Sequence, residues 1–135
     1  MPLDLALSTN TPTATLELRQ AQPLGDGRHH AAFLVVRSGA FAAALPFVFT
    51  QDHLATFAES LNALRTTRSG TASLQAGKSD DIIRMESVDE GKLRVCGELH
   101  ETEGTQRLTF SFAAEWEGLD TFNDGIHRLH AKNVN

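Results

Sequence analysis

TQDHLATFAESLNALRTTRSG, residues 50–70, decides the fold. Leu54, Phe57, Ala58, Leu61 and Leu64 recur at three- and four-residue spacing, while Glu59, Asn62 and Arg65 take the other side. That is the period of an amphipathic helix with one apolar stripe. Thr50 is placed to cap the free amides of the first turn, and Asp52 sits near the positive end of the helix dipole. Ser69-Gly70 supplies the stop. The spacing predicts one helix of about four turns, laid by its stripe against a sheet.

Upstream of it the period changes to two. Leu3, Leu5 and Leu7 alternate with Asp4 and Ala6, a short first strand followed by a break at Pro12. From Thr13 to Ala21, Ala14, Leu16 and Leu18 share one face and Thr15, Glu17 and Arg19 the other, the pattern of a half-buried strand. Pro23 to Gly27 is a turn with two glycines. His29 to Arg37 is the next strand. Phe33 and Val35 lie opposite Leu34 and Val36, so both faces are apolar and a central, covered strand is expected. After the turn at Ser38-Gly39, Phe41 to Phe49 is a further extended segment bent at Pro46.

Downstream, Thr71–Ala76, Asp81–Val88, Leu93–His100 and the run from Leu108 towards Trp116 alternate as strands, joined by turns at Asp89–Lys92 and Glu101–Thr105. Leu119 to Lys132 closes the chain as a second helix, with Leu119, Phe122, Ile126 and Leu129 on one side. Gly125 weakens it by up to about 1 kcal/mol relative to alanine. Strands joined by short polar turns pair antiparallel, because parallel pairs need long crossovers. The expectation is a single α+β domain over 1–135: a curled antiparallel sheet of about six to seven strands, packed on one amphipathic helix, with a C-terminal helix. No repeat is visible in the sequence.

Composition narrows the function. Hydrophobic residues make up 41% and charged residues 21%, the balance of a folded domain rather than a disordered one. Twelve Lys and Arg are scattered among seventeen Asp and Glu, for a net charge of −5. No basic stripe exists to neutralise phosphates, which argues against nucleic acid as a partner. No run approaches the ~20 apolar residues that span a membrane, and the N-terminal residues lack the basic start and apolar core of a signal peptide. A single cysteine, Cys96, rules out an internal disulfide and fits a reducing cytoplasm.

The residue types that carry chemistry do not assemble into a motif. His29 and His30 project to opposite faces of a strand and cannot easily chelate one metal together. His127 and His130 share a helix face, but metal binding there needs a carboxylate beyond Asp124. His53 reads as a surface residue of the first helical turn. Cys96 has no local base or helix N-terminus to activate it. No nucleotide-binding glycine loop and no hydrolase elbow occur. No catalytic residue, metal or cofactor is assigned, and a non-enzyme is expected.

Three stretches carry a family resemblance: GDGRHHAAFLVVRSGAF (25–41), LPFVFTQDHLATFAESLNAL (45–64) and GKLRVCGEL (91–99). Together they resemble the small bacterial WapI-like proteins over about residues 13 to 130. The matched positions are hydrophobics and turn residues, so no functional residue carries over. The resemblance implies a curled antiparallel sheet on a helix. It also implies a role as an immunity protein that neutralises a cognate toxin. The acidic loops at Asp80, Asp81, Asp89, Glu90, Glu101 and Glu103 are the candidate binding residues, suited to covering a basic toxin domain. Two alternatives stand beside this reading. One is a structural or homo-oligomerising domain. The other is a small-molecule binder with a pocket between sheet and helix, lined by His29, His30 or Trp116.

Overall fold

The computed structural model describes residues 2–7, 14–77, 80–88, 92–100 and 106–132. Four strands come first: β1 (Leu3–Leu7), β2 (Ala14–Pro23), β3 (His29–Ser38) and β4 (Phe41–Thr50). They form an antiparallel sheet in chain order. Helix α1 (Gln51–Thr67) follows. Four more strands, β5 (Thr71–Gln75), β6 (Ile82–Val88), β7 (Lys92–His100) and β8 (Arg107–Ala114), form a second antiparallel sheet, again in chain order. Helix α2 (Trp116–Lys132) ends the described chain.

The α+β class and the antiparallel pairing agree with the sequence. The single sheet of six to seven strands does not: eight strands divide into two sheets of four. The reason is α1. It interrupts the run of hairpins, and no strand before it pairs with one after it among the described residues. The architecture is therefore four strands and a helix, twice over, a repeat of form that the sequence does not display.

Each sheet turns one face inward. In the first sheet Leu5, Leu7, Leu16, Leu18, Leu34, Val36, Phe47 and Phe49 are buried. In the second the inward set includes Leu74, Ile83, Met85, Leu93, Val95 and Leu99. The stripe read from the sequence, Leu54, Phe57, Ala58, Leu61 and Leu64, is buried on α1. Leu119, Phe122, Ile126 and Leu129 of α2 join it, and all belong to one continuous core. The helices pack on each other through Phe57 and Phe122, whose rings meet edge to face at 6.4 Å. Helix α1 leans on β5, and α2 on β1.

Local chemistry fixes the joints. Thr50 Oγ1 accepts the His53 amide at 3.0 Å, the N-cap read from the sequence. At the other end Arg68 takes the left-handed conformation (φ 53°) and donates its amide to the Leu64 carbonyl, two residues before the expected glycine, Gly70, which itself has φ 98°. Arg68 then lies over the Trp116 ring, 5.4 Å from its centre, where α2 starts three residues earlier than its hydrophobic pattern suggests. Gly125 weakens α2 for a reason: a Cβ there would stand 2.9 Å from Leu5 Cγ, so a glycine lets the helix lie close over β1. Among the described residues no helix is long and apolar enough to cross a membrane.

Candidate functional site

The outward faces of the two sheets differ sharply. Cross-strand partners share a face, so the β6–β7–β8 register places Arg84, Glu86, Arg94, Glu98, Arg107 and Thr109 together on the outside of the second sheet. There Arg94 pairs with Glu86, and Arg107 with Glu98 at 3.2 Å. That is an ordinary solvated face. On the first sheet the β3–β4 register aligns Val35 with Ala44, Phe33 with Pro46 and Ala31 with Val48. Phe33 is 49% exposed and Val48 38%. The strand expected to be covered on both sides is central, since β3 lies between β2 and β4, but its second apolar face opens outward. Glu17 and Arg19 on β2, themselves paired at 2.9 Å, border this apolar face.

Strand β4 is also an edge. Its pairing with β3 runs unbroken from Thr50 to Phe41, where Gly39 (φ 64°) makes a two-residue turn. The carbonyl of Val48 points away from β3, because it accepts the amide of Gly77 at 2.9 Å. Strand residues alternate in the direction of their backbone groups. Pro46, Ala44 and Ala42 therefore also face outward along this edge. Pro46 has no amide to donate, which is tolerated at an open edge. Beside it lies a cleft of about 480 Å³, lined by Phe41 to Pro46 on one side and by Leu99, His100, Gln106, Arg107 and Leu108 on the other. Phe41 is 67% exposed there.

The acidic residues singled out in the sequence fall into different environments. Asp80 is exposed. Asp81 is buried: its carboxylate accepts the His100 amide at 2.7 Å and lies 2.9 Å from the His100 ring, while its carbonyl accepts the Ala76 amide. It ties the start of β6 to the end of β7 and presents no free surface to a partner. Asp89, Glu90, Glu101 and Glu103 lie outside the described residues.

The histidines do not converge. His29 is held by Asp26, Nδ1 to Oδ2 at 2.7 Å. The backbone amide of Arg28, and then His29 itself, lower the Asp26 pKa to about 2. His30 is fully buried on the inner face, stacked on Phe49 at 5.6 Å, with no hydrogen-bond partner for either ring nitrogen among the described residues. Burial holds its pKa below the ordinary imidazole value, and the nearby His130 lowers it further, against the pull of Asp26. His53 donates to the Gln75 carbonyl and His127 to that of Asn123. Among the described residues no three His, Cys, Asp or Glu side chains are placed to hold a metal ion. Cys96 is half-buried on the second sheet, and burial, then Glu86, raise its thiol pKa, the opposite of an activated nucleophile. His29, His30 and Trp116 do not line the 480 Å³ cleft.

What sequence reasoning missed is the apolar outer face and the open edge of β4. The signal was present in Phe33, Val35, Ala42, Ala44 and Val48. Apolar residues on both faces of a strand read as burial, and only the placement of the second sheet shows that no described residue covers one of them.

No protein-family model matches the chain, and no curated protein matches it. Among solved structures the fold is similar to that of the plant transcriptional regulator PBF-2, with a TM-score of 0.59 at 8% identity over 99% of this chain and 83% of that one. At that identity the likeness concerns the path of the chain: an α+β domain of two four-stranded antiparallel sheets, a helix after the first and a helix at the end.

Proposed function

We propose that this domain is a non-catalytic protein-binding module whose contact surface is the outer face of β3 and β4. One observation supports the reading above others: a contiguous apolar strip of Ala31, Phe33, Val35, Ala44, Pro46 and Val48 on the outside of a sheet whose counterpart carries paired charges. Contiguous exposed apolar patches with polar rims mark interaction sites, and aromatic side chains at their centres supply most of the affinity. The raised thiol of Cys96 and the scatter of the histidines, with His29, His53, His100 and His127 each held by a separate local partner, favour binding over catalysis. On the WapI-like resemblance, the specific role is that of an immunity protein seated on a cognate toxin domain in the cytoplasm.

The similarity to a transcriptional regulator raises nucleic acid as a partner. The strip answers poorly to that reading, since it offers alanine, valine, proline and phenylalanine where phosphate neutralisation needs lysine and arginine. The net charge of −5 points the same way.

The test uses a Phe33→Ser/Val48→Ser double variant, both positions being exposed. The partner retained by the immobilised wild-type chain is purified and its affinity measured for both forms. A 1:1 complex weakened at least tenfold by the double variant supports the reading. Equal binding by both forms sinks it. Self-association of the wild type by light scattering, abolished in the variant, replaces it with a homo-oligomerising domain.

A further inference from the structure

From the open edge of β4 and the cleft beside it, we infer a second binding site, one that takes an extended peptide segment of a partner protein by strand addition. It uses the outward backbone groups of β4 rather than the exposed side chains of Phe33 and Val48, although Ala44 and Pro46 border both, so either can fail without the other.

The argument starts from hydrogen bonds. Val48 already gives its outward carbonyl to the Gly77 amide, so this edge takes a backbone hydrogen bond from outside its sheet. Two positions further along, Pro46 offers a carbonyl alone. Ala44 and Ala42 each offer an outward amide and carbonyl, and no described residue takes them. Exposed edges of this kind template the addition of a strand.

The size of the cleft sets what fits. A strand claims about 4.8 Å laterally, about 10 Å between layers and about 3.4 Å along its length, or about 160 Å³ per residue. A cleft of about 480 Å³ therefore holds about three residues of extended chain. The end of β7 and the start of β8 wall its far side, which leaves no room for the whole sheet of a second copy.

Side-chain chemistry selects the occupant further. Apolar Phe41, Leu45, Leu99 and Leu108 line the cleft. Arg107 and His100 stand among them but already hold Glu98 at 3.2 Å and Asp81 at 2.9 Å. The complementary ligand is an extended segment with apolar side chains alternating with polar ones, the apolar groups lying on Phe41 and Leu45.

The test is a titration of the ¹⁵N-labelled chain with a capped nonapeptide of alternating valine and glutamate. Its counterpart, N-methylated at every residue, cannot donate to the edge in either direction. Expected are shifts of Ala42, Ala44, Leu99, His100 and Gln106 to Leu108, with amide exchange at Ala42 and Ala44 slowed at least tenfold. The N-methylated peptide should bind at least tenfold more weakly. Ala44→Pro removes the outward amide of residue 44 without touching the β3 ladder, as Pro46 already does, and should abolish protection at Ala42. Absence of shifts at millimolar peptide overturns the inference, as does equal binding of the N-methylated form. So do shifts confined to Phe33 and Val48, which would leave the outer-face reading standing. Protection of Ala42 and Ala44 that rises with protein concentration in the absence of peptide also overturns it, in favour of a second copy.

Discussion

Replacing His30 with phenylalanine should stabilise this protein, and should do so most at low pH. The imidazole is fully buried, stacked at 5° on the Phe49 ring, and neither nitrogen has a hydrogen-bond partner among the described residues. A buried polar group without a partner costs about 1–3 kcal/mol, and phenylalanine keeps the stack while removing both nitrogens. The pH dependence follows from burial, which holds the folded pKa below the ordinary 6.5. Below pH 6.5 the unfolded chain takes up a proton that the folded chain resists, so the wild type loses stability as pH falls towards the folded value. The loss between pH 7.5 and 5.5 is at most about 1.4 kcal/mol, the limit set by a ring that takes up no proton in the folded chain. His30→Phe should therefore gain about 1–3 kcal/mol at pH 7.5, and its advantage should widen, by up to about 1.4 kcal/mol, at pH 5.5. Urea unfolding followed by circular dichroism at both pH values measures both quantities. A variant less stable than the wild type at pH 7.5, or one whose advantage does not widen at pH 5.5, refutes the reasoning.

Other substitutions probe the joints, each by the same unfolding assay at neutral pH. A Cβ at Gly97 would stand 2.4 Å from the Ile82 carbonyl oxygen and 2.8 Å from the Phe110 ring. Gly97→Ala should destabilise towards the upper end of the about 1–3 kcal/mol typical of overpacking. Removing the N-cap with Thr50→Ala should lose about 1 kcal/mol, and Thr50→Ser should retain most of it. Asp81→Ala strips the His100 amide of its charged acceptor and should lose about 1.5–3 kcal/mol; a loss below about 0.5 kcal/mol would show that the carboxylate is no structural tie.

The elements were legible because each follows from nearest neighbours. Alternation along Ala14–Leu18 and Leu93–Leu99, and the stripe Leu54–Leu64, depend only on which side chains share a face, and the structure buries them accordingly. The division into two sheets was not legible, because alternation marks the inward face of a strand without naming its partner. The extra first turn of α2 was hidden for a related reason: Trp116 is held by Arg68 from the far side of β5–β8, a contact with no local trace. Gly125 looked like a weakness and is a point of close approach, visible only once Leu5 is seen beneath it. For the site, Asp81 is the acidic residue whose placement differs from the expected loop surface. A surface-type residue such as Asp81 can serve as an internal tie, while apolar Phe33 and Val48, which read as interior, stand outside.

Pro46 has a bearing on how the chain survives at high concentration. A sticky face and an unfinished margin meet on one strand, the combination from which fibrils grow by stacking copy upon copy. An imino acid in that row leaves a rung that receives but cannot give, so a ribbon of identical molecules would carry a fault at every layer. A different backbone, aligned to miss that rung, meets no such fault. The proline thus acts as a gatekeeper, leaving the margin open to a foreign strand while discouraging the chain from polymerising with itself.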